Sequence, residues 1–293
     1  MLLKINSFLF SKSTWVHLRI PYSLCLAPVY FFALSDIDSP DIFKSILIFI
    51  ILHLFLYPAS QAYNSYYDQD KKSIGGIEKP TPVKKETLKA SFLFDSFALV
   101  LSLLIGPLFF FSIFICSLVS KAYSHPYIRL KKYPWISWLT VAFFQGPFVY
   151  FNIYIALKGD LLSFWNIHWV SCLSTAFLFG GAYPMTQIFQ HEEDKIRGDK
   201  TLSLKLGIKG TFFFSGLSFL IGNILLFIYF KEKENLNLFV LFQIFLFPII
   251  TYFLYWFILC LKDEKKANFK RCMKLNILST LSFSSFFIFL IFS

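Results

Sequence analysis

Nine long apolar runs, separated by short charged or Pro/Gly-containing segments, dominate the chain. An α-helix needs about 20 apolar residues to cross the hydrocarbon core of a bilayer, and most of these runs are close to that length. The pattern therefore predicts an all-α, polytopic membrane bundle of nine transmembrane helices. The predicted spans are 18–35, 42–66, 88–105, 107–122, 134–157, 166–190, 208–230, 236–261 and 273–293.

The first apolar run follows a few positive charges, as a signal peptide would, but it contains no small-residue cleavage site. Eight further runs follow it. We therefore interpret it as a retained first span and not as a signal peptide.

Basic residues are distributed very unevenly between the two sides of the predicted bundle. If the N-terminus is inside, the inner segments hold 24 of the 28 Lys and Arg residues and the outer segments hold 4. Lys and Arg accumulate in cytoplasmic loops of membrane proteins. The asymmetry therefore predicts a cytoplasmic N-terminus, in the inner (plasma) membrane of the cell.

The composition supports a membrane protein and excludes several other classes. The chain is 56% hydrophobic and only 15% charged, with a mean hydropathy of +0.61, which excludes a soluble enzyme, a disordered tail and a secreted disulfide scaffold. Its five cysteines are scattered and show no disulfide or zinc pattern. The net charge of +11 is explained by the loops between spans, so we expect the lipid bilayer as a partner and no nucleic acid.

Two of the inner loops carry carboxylates that a topology signal does not require. Asn64 and Asp68 are four residues apart at the end of the second predicted span, so they share one helical face. Gln190 and Asp194 repeat this spacing after the sixth span. The two motifs are separated by four predicted helices, which suggests two pseudo-symmetric halves that meet at one membrane face.

The residue types in these loops fit magnesium and a diphosphate. Mg²⁺ is usually held by one or two carboxylates together with phosphate oxygens of the substrate. Lys and Arg side chains in the same loops would neutralise the remaining phosphate charge. A third inner loop, KAYSHPYIRLKKYP, adds Tyr123, Arg129 and Lys131. That loop is also consistent with a simple belt of basic side chains at the membrane surface.

In these motifs the chain resembles the UbiA superfamily of intramembrane prenyltransferases. The first family motif, close to NDxxDxxxD, is similar to NSYYDQDKK and shares Asn64 and Asp68. The second, DxxxD followed by GxxTL, is similar to QHEEDKIRGDKTLSLKLG and shares Asp194, Gly198, Thr201, Leu202 and Gly207. A third, YSxPPxRLK, is similar to YSHPYIRLK and shares Tyr123, Ser124, Pro126, Arg129, Leu130 and Lys131.

The resemblance extends over nearly the whole chain and implies a single transmembrane prenyltransferase domain over residues 1–293. Three acidic positions of the family motifs differ here, because they hold Ser65, Lys72 and Gln190. Asp70 and Glu193 supply carboxylates at neighbouring positions, as does Asp199.

The resemblance implies a Mg²⁺-dependent prenyltransferase, which transfers alkyl groups other than methyl. The reaction would move an isoprenoid chain from an allylic prenyl diphosphate to a lipophilic or aromatic acceptor at the cytoplasmic face. Among the acceptors of the family, an aromatic quinone precursor is our first expectation, which would place the protein in quinone biosynthesis.

The resemblance also implies roles for individual residues. The expected catalytic residues are Asp68 and Asp194. The expected metal ligands are Asn64, Asp68, Asp70, Gln190, Glu193 and Asp194. The expected substrate-binding residues are Arg19, Lys79, Tyr123, Arg129, Lys131 and Lys195.

Two other functions remain open at the level of the sequence. A polytopic transporter would place charges or broken helices near the middle of the membrane. Here the polar groups concentrate at one face, which favours an interfacial enzyme. A catalytically impaired UbiA-like protein that binds prenyl diphosphate is suggested by Ser65, Lys72 and Gln190.

Overall fold

The computed structural model describes residues 9–293. Helices make up 81% of the structure, and none of the described residues forms a strand, which confirms the predicted all-α class. Residues 1–8, which include Lys4 of the predicted inner segment, lie outside the described residues. The long helices of residues 9–293 are α1 (Lys12–Ser35), α2 (Ile42–Asp68), α3 (Glu86–Ser102), α4 (Pro107–Ser124), α5 (Pro134–Lys158), α6 (Leu161–Gln187), α7 (Leu202–Glu232), α8 (Leu236–Lys262) and α9 (Phe269–Phe292).

Eight of these helices are long and apolar enough to cross a membrane. The ninth, α3, has 17 residues and a length of about 26 Å, so the predicted count of nine spans is not confirmed. One predicted span also begins six residues too late, at 18 instead of 12, because polar residues form the first turn of α1. The span predicted from 208 begins directly after a kink in α7 at Gly207, whose backbone is not helical (φ 70°, ψ 176°).

Several of the long helices are interrupted within their length. In α1 the backbone of Arg19 is left-handed, with φ of 49°, and splits the helix. In α2 a widened π-helical segment covers Ile51–Leu56. In α5 the break lies at Gly146, directly before Pro147, whose ring cannot continue the preceding helix. A side chain at Gly146 would collide with the carbonyl of Thr175, so the glycine permits close packing of α5 on α6.

The long helices alternate in direction, so their connections lie at two opposite faces of the bundle. We call one the site face; its connections are residues 69–85, 125–133, 188–201 and 263–268. We call the other the opposite face; its connections are residues 36–41, 103–106, 159–160 and 233–235. The two acidic motifs and the third, basic loop all lie at the site face.

A buried carboxylate ties four helices together at the opposite face. The hydroxyl groups of Tyr150 and Tyr229 both donate hydrogen bonds to Asp36, which is 8% exposed. Lys233 Nζ lies 3.2 Å from the same carboxylate and His168 Nδ1 lies 3.4 Å from it. Burial alone would raise the pKa of Asp36, but the contact with His168 and the charge of Lys233 lower it to about 2. The ionised carboxylate therefore links α1 to α5, α6 and α7.

A second buried ion pair joins α3 and α4 within the bundle. Lys121 pairs with Asp95, and its ammonium group lies 4.9 Å from the centre of the Tyr63 ring. Both charged side chains are less than 15% exposed. Neither lines the two cavities described below, which favours a structural role for Asp95.

We expect Asp36→Ala to destabilise the protein strongly, because it leaves two buried hydroxyl groups and a lysine without their carboxylate. Removing one partner of a buried charged network costs about 3–5 kcal/mol. The matched control is Asp38→Ala, which removes an exposed ion pair with Lys158 and is expected to cost less than about 1 kcal/mol. The melting temperature of both variants is measured in detergent, with labelling of the buried thiols of Cys172, Cys260 and Cys272 as the signal of unfolding. Equal melting temperatures would contradict this role for Asp36.

Candidate active site

A polar cavity of about 320 Å³ lies at the site face. Side chains from both acidic motifs, the basic loop and the broken part of α1 share its wall. The charged and amide residues that line it are Arg19, Gln61, Asn64, Asp68, Asp70, Lys131, Gln145, Gln187, Gln190, Asp194, Arg197, Asp199 and Asn276. The fold therefore brings the two motifs together, although about 120 residues separate them.

The end of α2 positions the first acidic motif. Asn64 and Asp68 lie in its last turns, and the amide of Asn64 donates to Ser124 Oγ of α4 at 2.8 Å. Gln69 ends the helix with a left-handed backbone (φ 52°), after which Asp70 also faces the cavity. The end of α2 thus places Asn64, Asp68 and Asp70 together in the wall of the polar cavity.

A short helix, His191–Arg197, positions the second motif. Asp194 is 3% exposed and accepts a hydrogen bond from Thr201 Oγ1 at 3.0 Å. Gln190 lies at the start of this helix and donates through Nε2 to the carbonyl of Ser73 at 3.3 Å. The second motif is therefore tied to the loop that follows the first motif.

The basic loop connects the two motifs. The Arg129 guanidinium donates to both carboxylate oxygens of Asp199, at 2.8 and 2.9 Å, and lies 3.4 Å from Asp68. Lys131 pairs with Asp68 and is 3.9 Å from Asp199. Bidentate contacts of this kind fix the orientation of an arginine. Arg129 itself has a left-handed backbone (φ 43°), which turns its side chain inward from the loop.

Arg197 makes a further set of contacts that the sequence prediction did not include. Its guanidinium contacts Asp70 of the first motif and lies 2.7 Å from Asp194 of the second. It also lies 3.1 Å from Asp199. Its position three residues after Asp194 and four after Glu193 on a helix is the signal that would have found it.

Burial and neighbouring charges shift the pKa values of two carboxylates in the site. Burial, followed by the neighbouring charges of Asp199 and Asp68, raises the pKa of Asp194 to about 7, although Thr201 and Lys131 oppose this. Burial also acts on Asp199, but there Arg129, Lys131 and Arg197 lower the pKa below its usual range. Because the charged form of Asp194 is disfavoured, an additional cation bound nearby would stabilise it.

Arg19 lies at the break in α1, and its side chain faces the cavity. Its Nη2 donates to the carbonyl of Gln61 at 2.9 Å and its Nη1 to that of Gly75 at 3.3 Å. Gly75 and Gly76 pack against Tyr22, and a β-carbon at either position would lie 2.7 Å from an atom of that side chain. The two glycines thus permit the loop 69–85 to pack closely against α1.

Most of the predicted site residues lie at this cavity, but not all. Lys79 and Lys195 are exposed and do not line it. Arg129 does not line it either, but contacts two of its carboxylates, Asp68 and Asp199, from beside it. Glu193 accepts hydrogen bonds from the backbone N–H groups of Lys71 and Lys72 beside the cavity. Tyr123 lines the cavity, and its hydroxyl group is bonded to that of Tyr183.

An apolar chamber of about 340 Å³ adjoins the polar cavity. It lies between α1, α6, α7, α8 and α9 and is lined mainly by Phe, Leu, Ile and Val side chains. The two cavities share a wall formed by Cys25, Phe179, Ala182 and Asn276. A long molecule with a charged head and an apolar tail would find both environments side by side.

The donor atoms of the polar cavity fit Mg²⁺ only together with a phosphate ligand. Among residues 9–293, no three Asp, Glu, His or Cys side chains form a group able to hold a metal ion. Carboxylate and amide oxygens from both motifs nevertheless line one cavity. Because Mg²⁺ commonly takes one or two carboxylates and completes its shell with substrate oxygens and water, this donor set fits magnesium bound with a diphosphate.

Comparison with known proteins agrees with the motifs. The sequence profile of the UbiA prenyltransferase family matches residues 23–278, which is most of the chain. The chain belongs to the UbiA prenyltransferase family. No curated protein sequence matches it.

Solved structures show the same fold. A UbiA homolog from Archaeoglobus fulgidus bound to GPP and Mg²⁺ is 18% identical with a TM-score of 0.70, covering 96% of this chain and 100% of that one. A digeranylgeranylglyceryl phosphate synthase is 22% identical with a TM-score of 0.61, covering 96% and 99%. A UbiA homolog from Aeropyrum pernix K1 in its apo form is 15% identical with a TM-score of 0.67, covering 92% and 98%.

The raised pKa of Asp194 predicts a pH-dependent stability in metal-free protein. Since the folded state binds this proton more tightly than the unfolded state, the wild type should lose stability as pH rises from 5 to about 7 and then level off. Asp194→Asn lacks this titration, so its melting temperature relative to wild type should rise over the same range. The measurement is thermal unfolding with EDTA.

The control for this experiment is Asp38→Asn at the opposite face. The hydrogen bond and charge of Lys158 hold the pKa of Asp38 below its usual range, so this group stays ionised above pH 5 and its variant should show a constant offset from wild type. A constant offset for Asp194→Asn as well would contradict the account of its environment.

Proposed function

We propose that this protein catalyses Mg²⁺-dependent transfer of an isoprenoid chain from an allylic prenyl diphosphate to an acceptor. The observation that carries the proposal is the shared wall between the polar cavity and the apolar chamber. The diphosphate would lie among the charged residues of the first, and the isoprenoid chain would extend into the second. Membership of the UbiA prenyltransferase family supports this reaction.

The chain's own cations would hold the diphosphate. Arg19 and Lys131 line the cavity, and Arg129 contacts Asp68 beside it. Arg19 and Arg129 are already ordered by carbonyl and carboxylate contacts, so little conformational entropy is lost when these two side chains bind the diphosphate. Positive charge at this position stabilises the negative charge that develops on the leaving diphosphate.

Magnesium would be held by Asn64 and Asp68, with Asp70, Gln190, Glu193 and Asp194 as the other candidate ligands. When bound, it would act as a Lewis acid on the diphosphate oxygens. The GPP and Mg²⁺ bound to the Archaeoglobus fulgidus homolog support magnesium as the metal.

The remaining steps require exclusion of water and removal of a proton. Breaking the allylic C–O bond leaves positive charge on the isoprenoid, which the aromatic faces of Phe179 and its neighbours would favour and keep from water. The acceptor then loses a proton as the new bond forms. We assign Asp68 as the proton acceptor, because its carboxylate lies in the polar cavity beside Lys131.

The acceptor is proposed to be lipophilic or aromatic, with an aromatic quinone precursor as the first candidate. On α4 and α5 the polar cavity is lined by apolar and hydroxyl side chains, none of which lines the apolar chamber. We assign this part of the cavity to the second substrate. Its lining residues are Cys116, Val119, Ser120, Thr140, Val141 and Phe144.

We further propose that the site face is cytoplasmic and that the membrane is the inner (plasma) membrane. The uneven distribution of Lys and Arg between the two faces supports this orientation. The chamber wall formed by Leu220, Ile250 and Leu254 is also exposed on the outer surface of α7 and α8. An isoprenoid chain could therefore enter sideways from the bilayer.

The first test is a transfer assay on membranes that contain the protein, with C10 to C20 prenyl diphosphates, Mg²⁺ and a pool of lipid-extracted and aromatic acceptors. Mass spectrometry should find a prenylated product in wild type, reduced at least about 100-fold in Asp68→Asn and Asp194→Asn. Asp38→Asn, at the opposite face, should behave as wild type. Binding of prenyl diphosphate without product from any acceptor would support the catalytically impaired alternative, and absence of both would contradict the proposal.

The second test concerns the apolar chamber. Gly216 lines it on α7, and an added β-carbon would lie 3.6 Å from the Phe253 ring, so Gly216→Leu should fold and fill part of the space. We expect this variant to lose activity with C20 donors and to keep it with C10 donors. The control is Leu217→Phe, which enlarges a side chain on the exposed side of the same helix. Equal losses for both donor lengths would contradict this location for the chain.

A further inference from the structure

The guanidinium of Arg197 lies between the two acidic motifs. Its Nη1 contacts Asp70 of the first motif, and its Nη2 lies 2.7 Å from Asp194 Oδ1 of the second. Its Nε lies 3.1 Å from Asp199 Oδ2, and Nη1 is 3.6 Å from Glu193 Oε2. One fixed positive charge thus contacts four carboxylates that come from both motifs.

The local fold holds Arg197 in this place. It is the last residue of the short helix His191–Arg197, which Gly198 ends with a left-handed backbone of φ 73°. The backbone N–H of Asp199 then donates to the carbonyl of Asp194 at 2.9 Å, which returns the chain toward the cavity. The Arg197 side chain is only 17% exposed, so it is packed against its partners and not extended into solvent.

A guanidinium at this position competes with a divalent cation. Arginine stays protonated at any pH that a protein experiences, so it cannot yield its place by losing a proton. A metal ion that bridged Asp70 and Asp194 would have to displace it from four carboxylates or lie against its positive charge. The sequence also offers fewer anionic ligands than the family motifs, since Ser65, Lys72 and Gln190 occupy acidic positions.

The first motif also contains Asp68, a carboxylate that Arg197 does not contact. Asp68 is contacted by Lys131 and, at a longer distance, by Arg129, and it shares a helical face with Asn64. The lysine side chain is flexible and carries its charge on one atom, so it can turn from Asp68 to a diphosphate oxygen. The end of α2 therefore remains open to a metal ion in a way that the space around Arg197 does not.

We propose that Arg197 takes the place of one divalent cation, so that the diphosphate is bound with a single Mg²⁺ near Asn64 and Asp68. The guanidinium holds Asp70 and Asp194 together, and thereby the two motifs, whether or not substrate is present. This inference rests on the proposed function, because it assumes that a prenyl diphosphate binds in the polar cavity.

The test counts metal ions directly. Purified protein is saturated with geranyl S-thiolodiphosphate, an analogue that resists cleavage, and titrated with Mn²⁺ in place of Mg²⁺. Electron paramagnetic resonance of free Mn²⁺ then gives the number bound per chain. We expect one Mn²⁺ in wild type and two in Arg197→Gln, because the neutral side chain frees the carboxylates for a second ion.

Two matched variants separate charge from structure. Lys200→Gln removes an exposed cation three residues further along the same loop and should still bind one Mn²⁺. Arg197→Lys keeps a positive charge at the same position and should also bind one. Thermal unfolding of each variant shows that it is folded before metal is counted.

The outcomes distinguish this inference from the function on which it rests. Two Mn²⁺ per wild-type chain, with the analogue bound, would overturn the role of Arg197 and leave the proposed function standing; this count needs no variant. One Mn²⁺ in both wild type and folded Arg197→Gln would overturn it too. A wild-type protein that binds neither analogue nor Mn²⁺ would contradict the proposed function and this inference together.

Discussion

The structure depends on the mutual pairing of charges that are buried where the helices leave the membrane. At the site face, Arg129, Lys131 and Arg197 contact the carboxylates of Asp68, Asp70, Asp194 and Asp199. Each of these charges would be costly to bury alone, and pairing offsets that cost. Because the partners come from separate connections, the same contacts that neutralise them also bring the two acidic motifs to one cavity.

A comparable constraint operates at the opposite face, with a different result. Asp36 accepts hydrogen bonds from Tyr150 and Tyr229 and lies close to Lys233 and His168, and none of these residues lines the polar cavity or the apolar chamber. These contacts therefore stabilise the packing of the helices. The apolar chamber is enclosed mainly by aromatic and aliphatic side chains and adjoins the polar cavity at four shared lining residues.

Much of this architecture could be predicted from the sequence. Long apolar runs fixed the positions of the helices to within about a turn or two, and the four-residue spacings of Asn64 with Asp68 and Gln190 with Asp194 indicated which side chains share a face. Helix ends were less predictable, since polar first turns such as that of α1 are absent from a hydropathy pattern. The break at Arg19 was not predictable either, because its left-handed backbone is stabilised by contacts with Gln61 and Gly75 from other segments.

The remaining features of the site arise from tertiary contacts. Lys79 and Lys195 have the charge that a diphosphate requires, but their positions in exposed segments direct them away from the polar cavity. Arg197, on the same short helix as Lys195, faces inward because it lies three residues after the buried Asp194. Lys195 and Arg197 thus carry the same charge on the same short helix, and only the packing of that helix determines which of them reaches the polar cavity.

The central claim is that a prenyl diphosphate occupies the polar cavity with its chain in the apolar chamber. The most direct measurement is photo-crosslinking with a geranyl diphosphate analogue that carries a diazirine at the end of its chain, followed by peptide mass spectrometry. In the presence of Mg²⁺ we expect labels on Phe179, Phe219, Phe253 or Phe283, and their loss when excess geranyl diphosphate is added. Labels confined to lipid-facing residues such as Phe213 and Phe247, and unchanged by the competitor, would contradict the claim.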